Sequence, residues 1–279
     1  MMEKVRVRVP ATSANLGPGF DCLGVALQLH NVVTVGRNMP AAASPMVAAA
    51  GEAFFTQAGV PAFGFGWEIA GDIPRSRGLG SSVTVRLGIL HGLNRLAGEP
   101  LDAQTLYRIC AQLEGHPDNA APAAFGGFVA ARADCAYFRC EVSPEMRFVL
   151  LVPDREIETD ASRGTLPSEI PHSDAARTAA NAALITAAFA ANRPDLLRGS
   201  LQDWLHEPYR EAANPHLRPA VDAGVAAGAL GGYLSGSGSA VACIAVAGAQ
   251  DIARAMQSVL PGASVHILAP DNTGTVIIA

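Results

Sequence analysis

The sequence predicts an α+β fold in which helices pack on layered sheets. Three observations lead there: short period-two apolar runs mark strands, longer runs with helical spacing mark helices, and the two types interleave along the whole chain, separated by glycine- and proline-rich turns. At 279 residues the chain is long enough for one large domain or two of ordinary size.

In chain order, residues 5–9 alternate valine with arginine, as a half-exposed strand does, and 23–35 offer a second, longer apolar stretch. A loop of small polar residues is expected between them, around the turn Asn15-Leu-Gly-Pro-Gly19. Residues 45–57 read as helix, 66–70 as strand and 83–98 as helix, broken only by Gly88 and Gly92. A further helix is expected over 102–114, with Asp102 as its N-cap. After Gly126-Gly127 come strands at 128–132, 137–142 and 147–152. That change of texture puts the domain boundary at 145/146, giving units 1–145 and 146–279. The second unit reads as helices at 173–192, 195–204, 216–227 and 250–260, strands at 232–234 and 241–246, and two short strands ending at Ile278.

Composition narrows the function classes. The net charge is −5 with no long charge runs, which argues against nucleic acid or an anionic membrane as partner. Five cysteines without Cys-x-x-Cys spacing fit reduced thiols better than a disulfide framework or a structural zinc site. No segment has the order of a signal peptide, and no apolar run reaches the roughly 20 residues of a membrane span, so a cytoplasmic protein is expected.

Four segments carry chemistry. The first is Gly78-Leu-Gly-Ser-Ser82, following Pro74 and Arg77 and feeding a helix start. Backbone amides in such a turn suit phosphate, although a plain helix N-cap by Ser81 or Ser82 has the same signature. Its form is constrained by the chain's single lysine, Lys4, set against 19 arginines. A Walker-type loop needs Gly-Lys-Ser/Thr and a protein kinase needs a strand lysine, so neither can be built. The second segment runs from Pro10 to Asp21, where Asn15 and Asp21 can bind a small polar molecule or simply satisfy their own turn. The third is Glu114-Gly-His-Pro-Asp-Asn119. Glu114 suits magnesium, and His116 and Asp118 can move protons or bind metal, while a helix C-terminus with its usual polar residues reads the same way. The fourth, Gly231 to Ser239, repeats the glycine-serine chemistry and is either a tight strand connection or a second loop on the same ligand.

Together and in this order the segments resemble the GHMP kinase superfamily, and within it they are most similar to homoserine kinases. The resemblance spans nearly the whole chain. It implies a two-domain fold, with an N-terminal ribosomal-protein-like α/β domain that binds ATP and a C-terminal ferredoxin-like α+β domain. It also implies ATP and Mg²⁺ as cofactors and L-homoserine as the small-molecule substrate; analogy alone adds a homodimer. Carried over by residue, Pro74, Arg77, Gly78, Leu79, Gly80, Ser81 and Ser82 would cradle the ATP phosphates, joined by Ser235, Gly236, Ser237 and Gly238. Ser82 and Glu114 would hold magnesium. Asn15, Asp21, His116, Asp118 and Thr159 would surround the acceptor, with Arg163 and Arg210 on its carboxylate, a role that suits the guanidinium fork. Glu114, Ser82 and Arg163 would act in catalysis. The resemblance further implies transfer without a clear catalytic base. A kinase for another small hydroxy acid or amino alcohol, or a catalytically silent sensor of the same fold, would share most of these features.

Three departures from the family pattern stand out. Arg86 brings a charge where small alanines are usual, and would face solvent or reach phosphate. Ser239-Ala240 replaces proline and serine or threonine. Residues 41–46 lack the asparagine often found near adenine.

Overall fold

The computed structural model describes residues 4–40 and 43–278. Two alanines of the segment singled out at 41–46, Ala41 and Ala42, therefore lie outside the described residues.

The first sheet is built by β1 (Lys4–Asn15), β2 (Gly19–Gly36), β3 (Gly66–Gly71), β4 (Phe128–Ala131) and β5 (Tyr137–Cys140). Its order is β10-β1-β2-β4-β5, with β3 also on β2, and β10 (Val276–Ile278) returns from the far end of the chain. Four helices belong to this half: α1 (Pro45–Ala58), α2 (Ser81–Leu96), α3 (Ala103–Glu114) and α4 (Ala120–Phe125). Asp102 caps α3 as expected, accepting from the Thr105 amide at 2.7 Å. The two glycines inside α2 are explained by packing: a Cβ on Gly88 would meet Val33 at 2.5 Å, and one on Gly92 would meet Val35 at 2.5 Å. Helix and sheet thus approach more closely than any side chain at those positions allows.

The loop expected after residue 9 is instead strand as far as Asn15. Its register slips between Pro10 and Ala11, and the slip changes what the strand buries. Val5, Val7 and Val9 pack under α1 to α3, whereas Ala11 joins the core on the other face of the sheet. One strand therefore serves two cores and carries small polar residues toward the cavity between them.

The chain crosses to the second sheet after β5. Strands β6 (Arg147–Val152), β7 (Gly231–Leu234), β8 (Val241–Ala245) and β9 (Ser264–Leu268) pair antiparallel in the order β7-β8-β6-β9. With α8 (Leu217–Ala226) and α9 (Ala249–Val259) on one face, this is a ferredoxin-like arrangement. Strand β6 alternates cleanly: Phe148, Leu150 and Val152 face the core shared with the first sheet, and Val149 and Leu151 face α8 and α9.

Between β6 and β7 lie α5 (Thr159–Arg163), α6 (His172–Ala190) and α7 (Glu207–Arg210). The helix expected over 195–204 is only a 3-10 turn, Pro194–Leu197, because Gly199 at φ 77° ends it. The short helices α4, α5 and α7 have too few residues for a visible period. No helix among the described residues is long and apolar enough to cross a membrane, and all five cysteines are free.

Candidate active site

A cavity of about 480 Å³ opens between the two sheets, and Gly78, Leu79, Gly80, Ser81 and Ser82 all line it. The N-cap of α2 is Gly80, at φ 68°, and it gives the helix no side-chain cap. Ser81 and Ser82 are the first helical residues, so the serine-cap reading of this turn fails. The uncapped N-terminus keeps its partial positive charge directed at the cavity. Both glycines are required there: a Cβ on Gly78 (φ 76°) would lie 1.9 Å from the Ser235 carbonyl oxygen, and one on Gly80 would lie 2.1 Å from Thr12 Oγ1.

That closeness reflects a three-way junction. Ser235 Oγ donates to the Gly78 carbonyl at 2.6 Å and pairs with Ser13 Oγ at 2.8 Å, while the Gly236 amide donates to the Ala14 carbonyl at 3.1 Å. The opening strand, the 78–82 turn and the 235–238 loop are thereby locked together. Arg77 serves the same junction with its side chain, donating to the Pro153 carbonyl at 2.9 Å and to Asp154 Oδ1 at 2.8 Å.

Charged side chains form the other end. Asn15, at φ 73°, accepts from the Asp21 amide at 3.1 Å and donates to the Gly236 carbonyl at 3.0 Å, so its amide group shapes the turn. Asp21 is left free to take both Arg163 NH groups, at 2.6 and 2.9 Å. His116 Nδ1 is bonded to Asp118 Oδ1, which also accepts from the Asn119 amide. Ligand atoms of Asp21, His116 and Asp118 lie within 4.8 Å of one another. Burial pushes the His116 pKa down, but the bond and charge of Asp118 and the charge of Asp21 outweigh it, and the net shift is upward.

Arg210 is 2% exposed and has no carboxylate partner among the described residues. Its Nη1 donates to His206 Nδ1 at 3.1 Å and to the Gly236 carbonyl at 3.3 Å, and its Nε is buried without a partner. Burial and the nearby Arg163 charge bring its pKa down to about 10. His206, fully buried and lowered to about 4 by burial, is neutral; it donates from Nε2 to the Gly17 carbonyl at 2.8 Å, leaving Nδ1 to accept from Arg210. Phe20 lies under both arginines, at 5.4 Å from Arg163 and 5.2 Å from Arg210.

At the cavity lining, Ser82 Oγ donates to Glu114 Oε2 at 3.0 Å. Arg86 neither faces solvent nor lines the cavity; it ion-pairs with Glu114 Oε1.

The model of the GHMP kinases N terminal domain matches residues 45–127, and that of the GHMP kinases C terminal domain matches 185–262. The chain belongs to the GHMP kinase family. A homoserine kinase from Desulfitobacterium hafniense is 36% identical over 98% of this chain and 100% of its own length. Another, from Deinococcus radiodurans, is 39% identical over 85% of this chain and 83% of its own. The crystal structure of homoserine kinase from Cytophaga hutchinsonii superposes with a TM-score of 0.91 at 25% identity, covering 100% of this chain and 98% of that one.

In this GHMP kinase the cavity lining takes in Asn15, Asp21, Arg77, Glu114, His116 and Asp118, and with them Thr159, Arg163, Arg210, Gly236 and Ser237. Pro74, Ser235 and Gly238 lie outside the lining; Ser235 acts behind it, on the Gly78 carbonyl. Sequence reasoning passes over an apolar flank made of Met46, Trp67, Ile69, Ile73 and Val85. Trp67 and Ile69 share one face of β3, and that two-residue spacing is the available signal. It also passes over Asn31, a buried polar residue within an apolar strand, whose Nδ2 donates to Thr84 Oγ1 at 2.9 Å.

Proposed function

We propose that this GHMP kinase is a homoserine kinase, transferring the γ-phosphoryl group of ATP to the side-chain hydroxyl of L-homoserine to give O-phospho-L-homoserine, a step of threonine biosynthesis. The observation that carries the reading is Arg210: a guanidinium buried at the cavity wall, held by a neutral histidine and a carbonyl, with no carboxylate of its own among the described residues. Burying a charge in this way is costly unless a ligand compensates it, and a planar fork suits a carboxylate.

An amino acid carries its ammonium on the same carbon as its carboxylate, and the cavity that holds Arg210 also offers Asp21, Asp118 and the ring of His116. Asp21 and Asp118 keep lone pairs beyond those taken by Arg163 and His116 and can accept from an ammonium. Asn15 holds the turn that presents Asp21. At the nucleotide end, the amides of Gly78 to Ser82 and the N-terminus of α2 bind phosphate oxygens, and the apolar flank beside Trp67 takes the base.

Ser82 Oγ and Glu114 Oε2 offer two hard oxygen donors 3.0 Å apart at the cavity surface, a set that fits Mg²⁺ completed by phosphate and water. When bound there, the ion neutralises charge on the phosphates. The protein's own share is to align the hydroxyl with the γ-phosphate and to exclude water. Because the transition state is loose, alignment and charge neutralisation can supply most of the acceleration, and a strong base is not required.

The test is ADP release from Mg-ATP with L-homoserine, run beside L-threonine, L-serine, pantoate, mevalonate and galactose. Turnover selective for homoserine is expected. Selectivity for another acceptor would replace the substrate and keep the kinase, and nucleotide binding without turnover on any acceptor would overturn the reading.

A further inference from the structure

Arg86 lies four residues after Ser82 on α2, and helical side chains lean toward the N-terminus, so its guanidinium reaches back over the turn that carries Ser82. There it meets Glu114, the last residue of α3. The Glu114 side chain is 9% exposed and that of Arg86 17%, so little water screens the pair. Arg86 Nε is buried with no other partner. Ser82 and Glu114 line the cavity and Arg86 does not, so the guanidinium grips the carboxylate from behind. The two Glu114 oxygens divide the contacts between them, with Oε1 on the arginine and Oε2 on the Ser82 hydroxyl.

Glu114 also stands where a helix least favours an anion, since the C-terminal end of α3 carries partial negative charge. A carboxylate in that position, nearly buried, needs a cation. Without Arg86 a divalent ion would be strongly drawn to it; with Arg86 the need is already met, and an incoming ion also feels the guanidinium's repulsion.

We propose that Arg86 is a positioning residue that fixes the Glu114 carboxylate and suppresses binding of a free divalent cation at Ser82 and Glu114, so that this site takes up the ion together with nucleotide phosphate. This rests on the reading of Ser82 and Glu114 as the cation donors, and the experiment separates the two.

The probe is Mn²⁺ alone, titrated into the intact protein without nucleotide and followed by the paramagnetic resonance signal of the free ion. The wild type is expected to bind it weakly. Arg86→Met is expected to tighten binding by at least about tenfold, and Arg86→Gln, which keeps a donor to Glu114 but removes the charge, to tighten it similarly. Arg86→Lys should restore weak binding. A linked readout covers a destabilised variant: Mn²⁺ should raise the melting temperature of Arg86→Met and leave the wild type almost unmoved. Adding Glu114→Gln to Arg86→Met should abolish the gain. Equal Mn²⁺ affinity in wild type, Arg86→Met and Arg86→Gln would overturn the proposal. If Glu114→Gln alone still weakened Mg-nucleotide binding in that case, the cation reading of Glu114 would survive; if it had no effect, that reading would fall as well.

Discussion

The two ends of the cavity are made of different material. At the end proposed for the nucleotide the contacts are backbone: an uncapped helix start and glycines pressed against the Ser235 carbonyl and Thr12. At the end proposed for the acceptor they are polar and charged side chains, with Arg163 on Asp21, His116 on Asp118 and Arg210 without a carboxylate among the described residues. A backbone donor is removed only by proline, but the glycine turn that carries these donors is displaced by an added Cβ, whereas side-chain donors can be deleted singly and can respond to pH. The difference predicts which changes are catastrophic, which alter one Michaelis constant, and which show only in a titration.

The largest effect is expected at the backbone end. Gly78→Ala puts a Cβ 1.9 Å from the Ser235 carbonyl at a φ of 76°, so the turn must move away from the 235–238 loop. A misplacement of about 1 Å can cost about 100-fold in rate, and here the displaced atoms are the proposed phosphate donors themselves. Turnover should fall by at least that factor while the far-ultraviolet dichroism of the folded protein is retained. Near-normal turnover would mean that the junction with Ser235 is not what shapes the turn.

Next comes Arg210→Leu, which removes one donor fork and leaves the nucleotide end untouched. The Michaelis constant for homoserine should rise by about 100-fold, since losing one partner of a buried charge pair costs about 2–5 kcal/mol, and that for ATP should stay within about threefold. Equal rises in both constants would place Arg210 in the shared scaffold, through its bond to the Gly236 carbonyl, and erase the contrast between the ends.

The same contrast governs how much is legible in the sequence. Glycine-serine turns are visible because their chemistry is local, so Gly78 to Ser82 can be named together from sequence, and the interleaved strands and helices give the fold class. Ser235 groups with the phosphate loops by composition but acts on the Gly78 carbonyl from behind the lining, a relation across 157 residues that no spacing encodes. The strand running through Pro10 to Asn15 reads as loop because small polar residues weaken the alternation; a register slip and tertiary pairing with β2 override that local preference. Arg86 is visible as a charge out of pattern, yet its partner, 28 residues away on another helix, is not. Trp67 and Ile69 become site residues only once β3 is laid against β2.

The smallest effect separates the ends by pH. His116 has a folded-state pKa above its ordinary 6.5: burial opposes the proton, but the bond and charge of Asp118 and the charge of Asp21 prevail. The folded protein therefore binds this proton more tightly than the unfolded chain does. The resulting stability is fully present below pH 6.5 and is lost as pH rises through the folded-state value. His116→Asn removes that contribution and leaves the glycine turn as it was. Melting temperatures of wild type and variant, compared between about pH 5 and about pH 9, should differ most at the acid end and converge toward the alkaline end. The backbone end has no group in this linkage, so Gly78→Ala should shift the curve by a similar amount at every pH. A constant gap for His116→Asn would show that Asp21 and Asp118 do not hold a proton on this ring in the folded protein, and the acceptor end would then differ from the nucleotide end in geometry rather than in charge.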